Sequence, residues 1–173
     1  VLVSDHGDLG GDHGVFRKGP MQTPGLSHVP LIVRGPSIPA GAVSGSCGSI
    51  DIGPTMLSLA GLDPRRGMTG VALPLDGTSP DRRWVLTETE STSLTFGRPD
   101  SFRLRGIRNH RWHLVHSNDP GLCELHDLDD DPHEQHNRWS DPALAATRSD
   151  LMMALADTAL DHTEQGITPW SPG

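Results

Sequence analysis

Three apolar residues, Val1-Leu2-Val3, run straight into Ser4-Asp5-His6-Gly7-Asp8. An unbroken apolar run before a glycine-rich turn reads as the end of a buried strand, of the kind found in parallel sheets covered by helices. Asp5 and His6 then fall at the carboxyl end of that strand, where open α/β sheets bind ligands. Gly7 to Gly14 is a glycine-rich loop. Val29-Pro30-Leu31-Ile32-Val33-Arg34-Gly35 predicts a second strand, with Pro30 at its start, where a missing N–H is tolerated. Ile50 to Ala60 predicts a helix, capped by Asp51, with Pro54 in its first turn and Gly61 as its stop. Ile52, Met56, Leu59 and Ala60 share one apolar face of that helix.

Between Leu62 and Asp81 the chain is punctuated by Pro64, Gly67, Gly70, Pro74, Gly77 and Pro80, and the pattern then changes. Arg83 to Glu88, Phe102 to Arg108, Arg111 to His116 and Leu122 to Asp127 predict short strands. In the second of these, Phe102 and Leu104 alternate with Arg103 and Arg105, so one face is wet. Asn118-Asp119-Pro120-Gly121 is a turn signal and predicts a hairpin between the last two. Asp141-Pro142 pairs an N-cap with a proline at the first helical position. Leu144, Leu151 and Leu155 then line a helix that runs to about Asp161. The expected architecture is an α/β unit over residues 1–80, then a small antiparallel sheet with one packed helix over 81–173.

Composition narrows the function classes. The chain has 173 residues, 34% of them hydrophobic, with 20 Gly and 15 Pro, which is a loop-rich globular composition. A net charge of −8, 4% aromatics and no Tyr exclude a base-stacking, basic nucleic-acid surface. No apolar run approaches the ~20 residues of a membrane span. Cys47 and Cys123 lack Cys-x-x-Cys spacing, which argues against a zinc cluster and leaves a disulfide between them open.

Asp5 and His6, a carboxylate beside an imidazole at a strand end, suit a divalent cation; the competing reading is a capping Asp with a surface His. Lys18, the sole lysine among 14 basic residues, lies thirteen residues beyond Asp5. A flexible ammonium there suits an anionic oxygen of a phosphate or sulfate ester. His13 reads either as a further ligand or acid, or as a loop residue ordered by hydrogen bonds. Asp8 and Asp12 read as solvated loop residues, and His28 as structural. The acidic stretch from Asp127 to Glu134 lacks the spacing of a calcium-binding EF-hand and reads as a turn with exposed charge. His110, His113, His116, His126, His133 and His136 show no ligand spacing and are expected to bind no metal.

Four segments, in order, resemble the sulfatase family of the alkaline phosphatase superfamily, in its carboxyl-terminal half. SDHGDLGGDHGVFRKG (Ser4 to Gly19) is similar to the family's S-D-H-G-x-x-x-G-x-H-G-x-x-x-K-G stretch. HVPLIVRGP (His28 to Pro36) resembles the strand that follows. SIDIGPTMLSLAGL (Ser49 to Leu62) resembles the V-D-x-x-P-T-x-L-x-L-A-G helix. CELHDLDDDPHEQHN (Cys123 to Asn137) resembles the L-Y-D-L-x-x-D-P-x-E-x-x-N segment.

The resemblance implies part of an alkaline-phosphatase-like α/β sheet core, followed by a four-stranded antiparallel sheet with a carboxyl-terminal helix. It implies that Asp5 and His6 are metal ligands. It implies that Lys18 holds the sulfate or leaving-group oxygen and that His13 is a loop histidine of the catalytic site. The implied cofactor is one divalent cation, calcium by the family's habit, with manganese or another metal as the alternative. The implied partner is a small sulfate-ester substrate, or a phosphonate or phosphate ester in related hydrolases. The family's nucleophile is a formylglycine made within C/S-x-P-x-R. Cys47 is followed by Gly48-Ser49-Ile50 and Cys123 by Glu124-Leu125-His126, so neither fits. The expectation is a carboxyl-terminal portion that lacks the N-terminal part of its own domain and is inactive alone; the alternatives are a portion of a phosphonate monoester or phosphodiester hydrolase and a non-catalytic metal-binding domain.

Overall fold

The computed structural model describes residues 1–91 and 101–162. The end of the second expected unit, residues 163–173, lies outside them. The four-stranded sheet is formed by β3 (Val85–Ser91), β4 (Phe102–Arg108), β5 (Trp112–Ser117) and β6 (Glu124–Asp127), in that order and antiparallel throughout. The β5–β6 turn is the predicted one. Asp119 accepts from the Gly121 N–H and opens a short 3-10 turn over Pro120–Leu122.

Register explains the core. Leu86, Ile107, Leu114 and Leu125 stand opposite one another in a single row across all four strands. Ile107, Leu114 and Leu125 are fully buried. They pack against Leu151 and Leu155 of the long helix that follows the sheet. That helix spans Ala145–Asp161 and is entered through a 3-10 turn in which Asp141 accepts from the Ala143 N–H. Each such buried side chain is worth about 1.5–3 kcal/mol. The opposite face of the sheet carries Phe102, Leu104 and Val115, with Leu122 packed against them. Phe102 and Leu104 are therefore buried as expected, but on the face away from the helix. Arg103 and Arg105 project to the helix side, where they pair with the exposed Glu88 and Glu90.

That second face receives the earlier part of the chain. Pro20, Met21 and Gln22 close a shallow groove over Phe102, Leu104 and Val115. Thr87 donates to Gln22 Oε1 at 2.7 Å, and Gln22 Nε2 donates to the Thr87 carbonyl at 3.3 Å. Gly106, mid-strand in β4, is what allows the approach. A Cβ there would run into Gln22 Oε1 and lie 2.8 Å from Thr87 Oγ1.

In residues 1–80 one expectation is corrected. β1 (Leu2–Val3) and β2 (Leu31–Ile32) pair antiparallel, not parallel. The chain reverses through the short helix α1 (Pro24–Ser27) without a full crossover, so β2 returns against β1. Nothing among the described residues covers the apolar run: Val1, Leu2, Val3 and Ile32 are exposed. The helix predicted over 50–60 is a 3-10 turn, Ser49–Asp51, continued by α2 (Ile52–Leu59), but Met56, Leu59 and Ala60 of its apolar face are exposed. Its buried side is Asp51, Pro54 and Thr55. Asp51 accepts from the N–H groups of Gly48 and Val71, each at 2.9 Å, and from Arg82 at 2.7 Å, while Thr55 accepts from the Leu73 N–H. Polar contacts thus pin the 70–73 segment to α2, beside an apolar groove shared by Ile52, Leu73, Leu31 and Val33. The helix numbered α3 is Ala145–Asp161. No helix among the described residues is long and apolar enough to cross a membrane. Cys47 and Cys123 are both free thiols, which closes the disulfide question.

Candidate active site

The site is built on the turn that leaves β1. The Ser4 hydroxyl donates to the His6 carbonyl at 2.7 Å, and Asp5 Oδ1 accepts the His6 backbone N–H at 3.0 Å. His6 Nδ1 lies 2.7 Å from the Gly7 carbonyl, so Nδ1 carries the proton and Nε2 keeps its lone pair. The Lys18 ammonium donates to that lone pair at 3.2 Å. Gly7 is held by its N–H to the Leu26 carbonyl at 2.9 Å, and a Cβ at residue 7 would run into the Gly25 backbone carbonyl. This crossing seats the Asp-His turn on α1.

Asp5 and His6 fit a cation. An anionic oxygen and a lone-pair nitrogen, Asp5 Oδ2 and His6 Nε2, stand 3.7 Å apart. That spacing is compatible with two ligands of one ion at roughly 2.0–2.6 Å each. The backbone N–H of His6 holds the Asp5 carboxyl below the usual carboxylate range. Asp5 is therefore deprotonated, as a ligand must be. No group of three or more His, Cys, Asp or Glu gathers into a cation site among the described residues, so the pair supplies two donors only.

Lys18 reaches His6 across a hairpin-like loop. The Leu9 N–H bonds the Arg17 carbonyl and the Gly11 N–H bonds the Val15 carbonyl, both at 3.1 Å. The tip, Asp12–Gly14, is a 3-10 turn with His13 at φ 52°. The structure brings Asp5, His6 and Lys18 together. It does not join His13 to them: among the described residues His13 is exposed, with no hydrogen bond or ion pair to the other three. Asp8 and Asp12 are exposed loop residues, as expected.

One buried polar cluster was missed. Far from being an exposed turn, the acidic stretch folds Glu134 into the sheet's second face, where it is 4% exposed. Glu134 ion-pairs with Arg108 and with His113 Nδ1, the latter at 3.1 Å. His126 stacks on His113 with ring centroids 6.2 Å apart. The available signal was register: Arg108, His113 and His126 stand side by side on neighbouring strands.

The fold and this geometry can be set against known proteins. The family model for the carboxyl-terminal part of N-sulphoglucosamine sulphohydrolase matches residues 11–161. The chain belongs to the sulfatase family. Human arylsulfatase K is 32% identical over 149 residues, which is 79% of this chain and 27% of that protein. A structure solved with its substrate D-glucosamine-2-N,6-O-disulfate superposes with a TM-score of 0.81 at 26% identity, over 98% of this chain and 35% of that one. The phosphonate monoester hydrolase of Agrobacterium radiobacter superposes with a TM-score of 0.80 at 30% identity, over 94% of this chain and 35% of that one. The chain therefore spans 27–35% of the length of these relatives. The match lies in their carboxyl-terminal region, which contains the antiparallel sheet and its helix.

Proposed function

We propose that this chain supplies part of the active site of a sulfuric ester hydrolase acting on a sulfated sugar. The observation that carries the proposal is the Lys18–His6 contact, made with the His6 tautomer fixed by Gly7. It brings the ammonium to the nitrogen that a cation would use; a bound cation would take the Nε2 lone pair and release the ammonium to the ester oxygens. The sugar is favoured by the family model, named for N-sulphoglucosamine, and by the structural neighbour's disulfated glucosamine.

Asp5 and His6 would hold the divalent cation, with calcium as the first expectation and manganese as the second. When bound, that ion neutralises ester charge and lowers the pKa of a nucleophilic hydroxyl. The remaining tasks fall to the chain's own residues. The Gly7 carbonyl holds the Nδ1 proton, so the His6 lone pair faces the site. The Lys18 ammonium balances negative charge that grows on the ester oxygens as the bond to sulfur breaks. His13, expected in the same site, stands exposed at the tip of the loop and is given no step in this reading. The formylglycine nucleophile would come from outside these residues, since neither Cys47 nor Cys123 lies in its motif.

A phosphonate or phosphate monoester is the second reading, favoured by the 30% identity to the phosphonate monoester hydrolase. The natural gene product is to be assayed on the disulfated glucosamine and on a phenyl phosphonate monoester. Faster sulfate release than phosphonate cleavage is expected. The reverse order would replace the first reading by the second. Loss of neither activity on Lys18→Ala would remove Lys18 from both.

A further inference from the structure

Five Phe and Trp residues lie among the described ones, and four of them, Trp84, Phe102, Trp112 and Trp139, are buried or half-buried. Phe16 is 76% exposed. It sits in the loop that carries Lys18, and its ring is not loose. Cε1 and Cζ rest 3.7 Å from the side-chain position of Gly11. Gly11 has φ +112°, a conformation open to glycine, so the ring is seated against bare backbone. The two hairpin bonds, Leu9 to Arg17 and Gly11 to Val15, bracket the residue on either side. Arg17, directly after it, is held left-handed at φ 71°, as is His13 at φ 52°. Such backbone is uncommon outside glycine, and it concentrates where a loop must present particular side chains. Phe16 lies two residues from Lys18, so their Cα atoms are within about 7 Å.

We propose that Phe16 is the stacking platform for the sugar ring that bears the sulfate, and so a determinant of substrate specificity. The inference rests on the function proposed above. An aromatic face is electron-rich and attracts the C–H face of a pyranose, while the ester oxygens go to Lys18. One loop thus carries an anion-binding ammonium and an aromatic ring two residues apart in sequence.

The test measures equilibrium binding to the natural gene product and its Phe16→Ala and Phe16→Trp variants. The probes are the disulfated glucosamine, an alkyl sulfate without a ring, and inorganic sulfate. Phe16→Ala is expected to weaken the sugar by about tenfold, and Phe16→Trp to hold it within about twofold. The affinity for the two ringless probes is expected to follow Lys18 and not Phe16. Equal sugar affinity in the natural protein and Phe16→Ala overturns the inference. So does a parallel loss for all three probes, which would mark a structural role. If the natural protein binds both ringless probes but no sugar, Phe16 has no platform role while Lys18 keeps its own. If it binds none of the three, the function proposed above fails and this inference with it.

Discussion

Lys18 Nζ lies 3.2 Å from His6 Nε2, with twelve positions of chain between them. The contact pairs the sole lysine with a histidine whose other nitrogen is committed to the Gly7 carbonyl. It joins the two segments, strand end and glycine loop, on which the proposed chemistry depends. Replacing Lys18 by Ala in the natural gene product is expected to lower kcat about 100-fold, as loss of a transition-state charge partner does. KM is expected to change less. An unchanged kcat would show that the ammonium serves the fold alone.

Asp5 and His6 are expected to act together in cation binding. His6→Ala removes the lone pair and Asp5→Asn removes the charge, so each should lower calcium affinity by at least about tenfold. Isothermal titration with calcium, and separately with manganese, reads this without turnover. Affinity preserved in both variants would place the cation elsewhere.

Asp51 is wholly buried and satisfied by two backbone N–H groups and Arg82. Asp51→Ala would leave those donors and the guanidinium without their acceptor, at a cost of about 3–5 kcal/mol. Urea unfolding is the measurement. A loss below about 1 kcal/mol would mean that water replaces the carboxylate without penalty.

The buried His113–Glu134–His126 cluster sets a pH window. Burial pushes the Glu134 carboxyl up, but the hydrogen bond and charge of His113, with the charge of Arg108, outweigh it and hold the group below its ordinary 4.5. Burial pushes His126 down, yet Glu124, Glu134 and Asp131 outweigh it and raise the imidazole above its ordinary 6.5. The Glu134 contribution is present above pH 4.5 and lost as pH falls through its folded value. The His126 contribution is present below pH 6.5 and lost as pH rises through its folded value. Both are complete between pH 4.5 and 6.5, so Tm is expected to peak there. His126→Gln should flatten the alkaline side of the Tm curve; a curve of unchanged shape would sink the assignment.

Gly106→Ala tests the docking of Gln22 on the sheet. The added methyl displaces Gln22 from Thr87 and is expected to cost about 1–3 kcal/mol. Limited proteolysis near residues 20–22 should quicken with it. Resistance equal to that of the natural protein would show that the groove holds without the Gln22–Thr87 bonds.

The second half of the fold was readable because period-two alternation and turn residues agree there. Phe102 to Arg108, the 118–121 turn and the Asp141-Pro142 helix start stand where the pattern puts them. The first half was less so. An apolar run such as Val1-Leu2-Val3 states that a surface is to be covered, not by what or in which direction its neighbour runs. Leu59 and Met56 raise the same difficulty on α2. Asp5, His6 and Lys18 were legible through motif spacing, and their mutual contact depends on Gly7 at the α1 crossing. His113, His126 and Glu134 escaped notice because their association is set by cross-strand register, which a linear reading of histidines does not reveal.

Gln22 lies four residues beyond Lys18, and its carboxamide is bonded to Thr87 on the small sheet. The lysine is thereby tethered to the small sheet, which carries none of Asp5, His6 and Lys18. A survey that ranks inherited variants by distance from the ester would file changes at Thr87 or Gly106 as remote. Their phenotype would nonetheless be that of a misplaced Lys18.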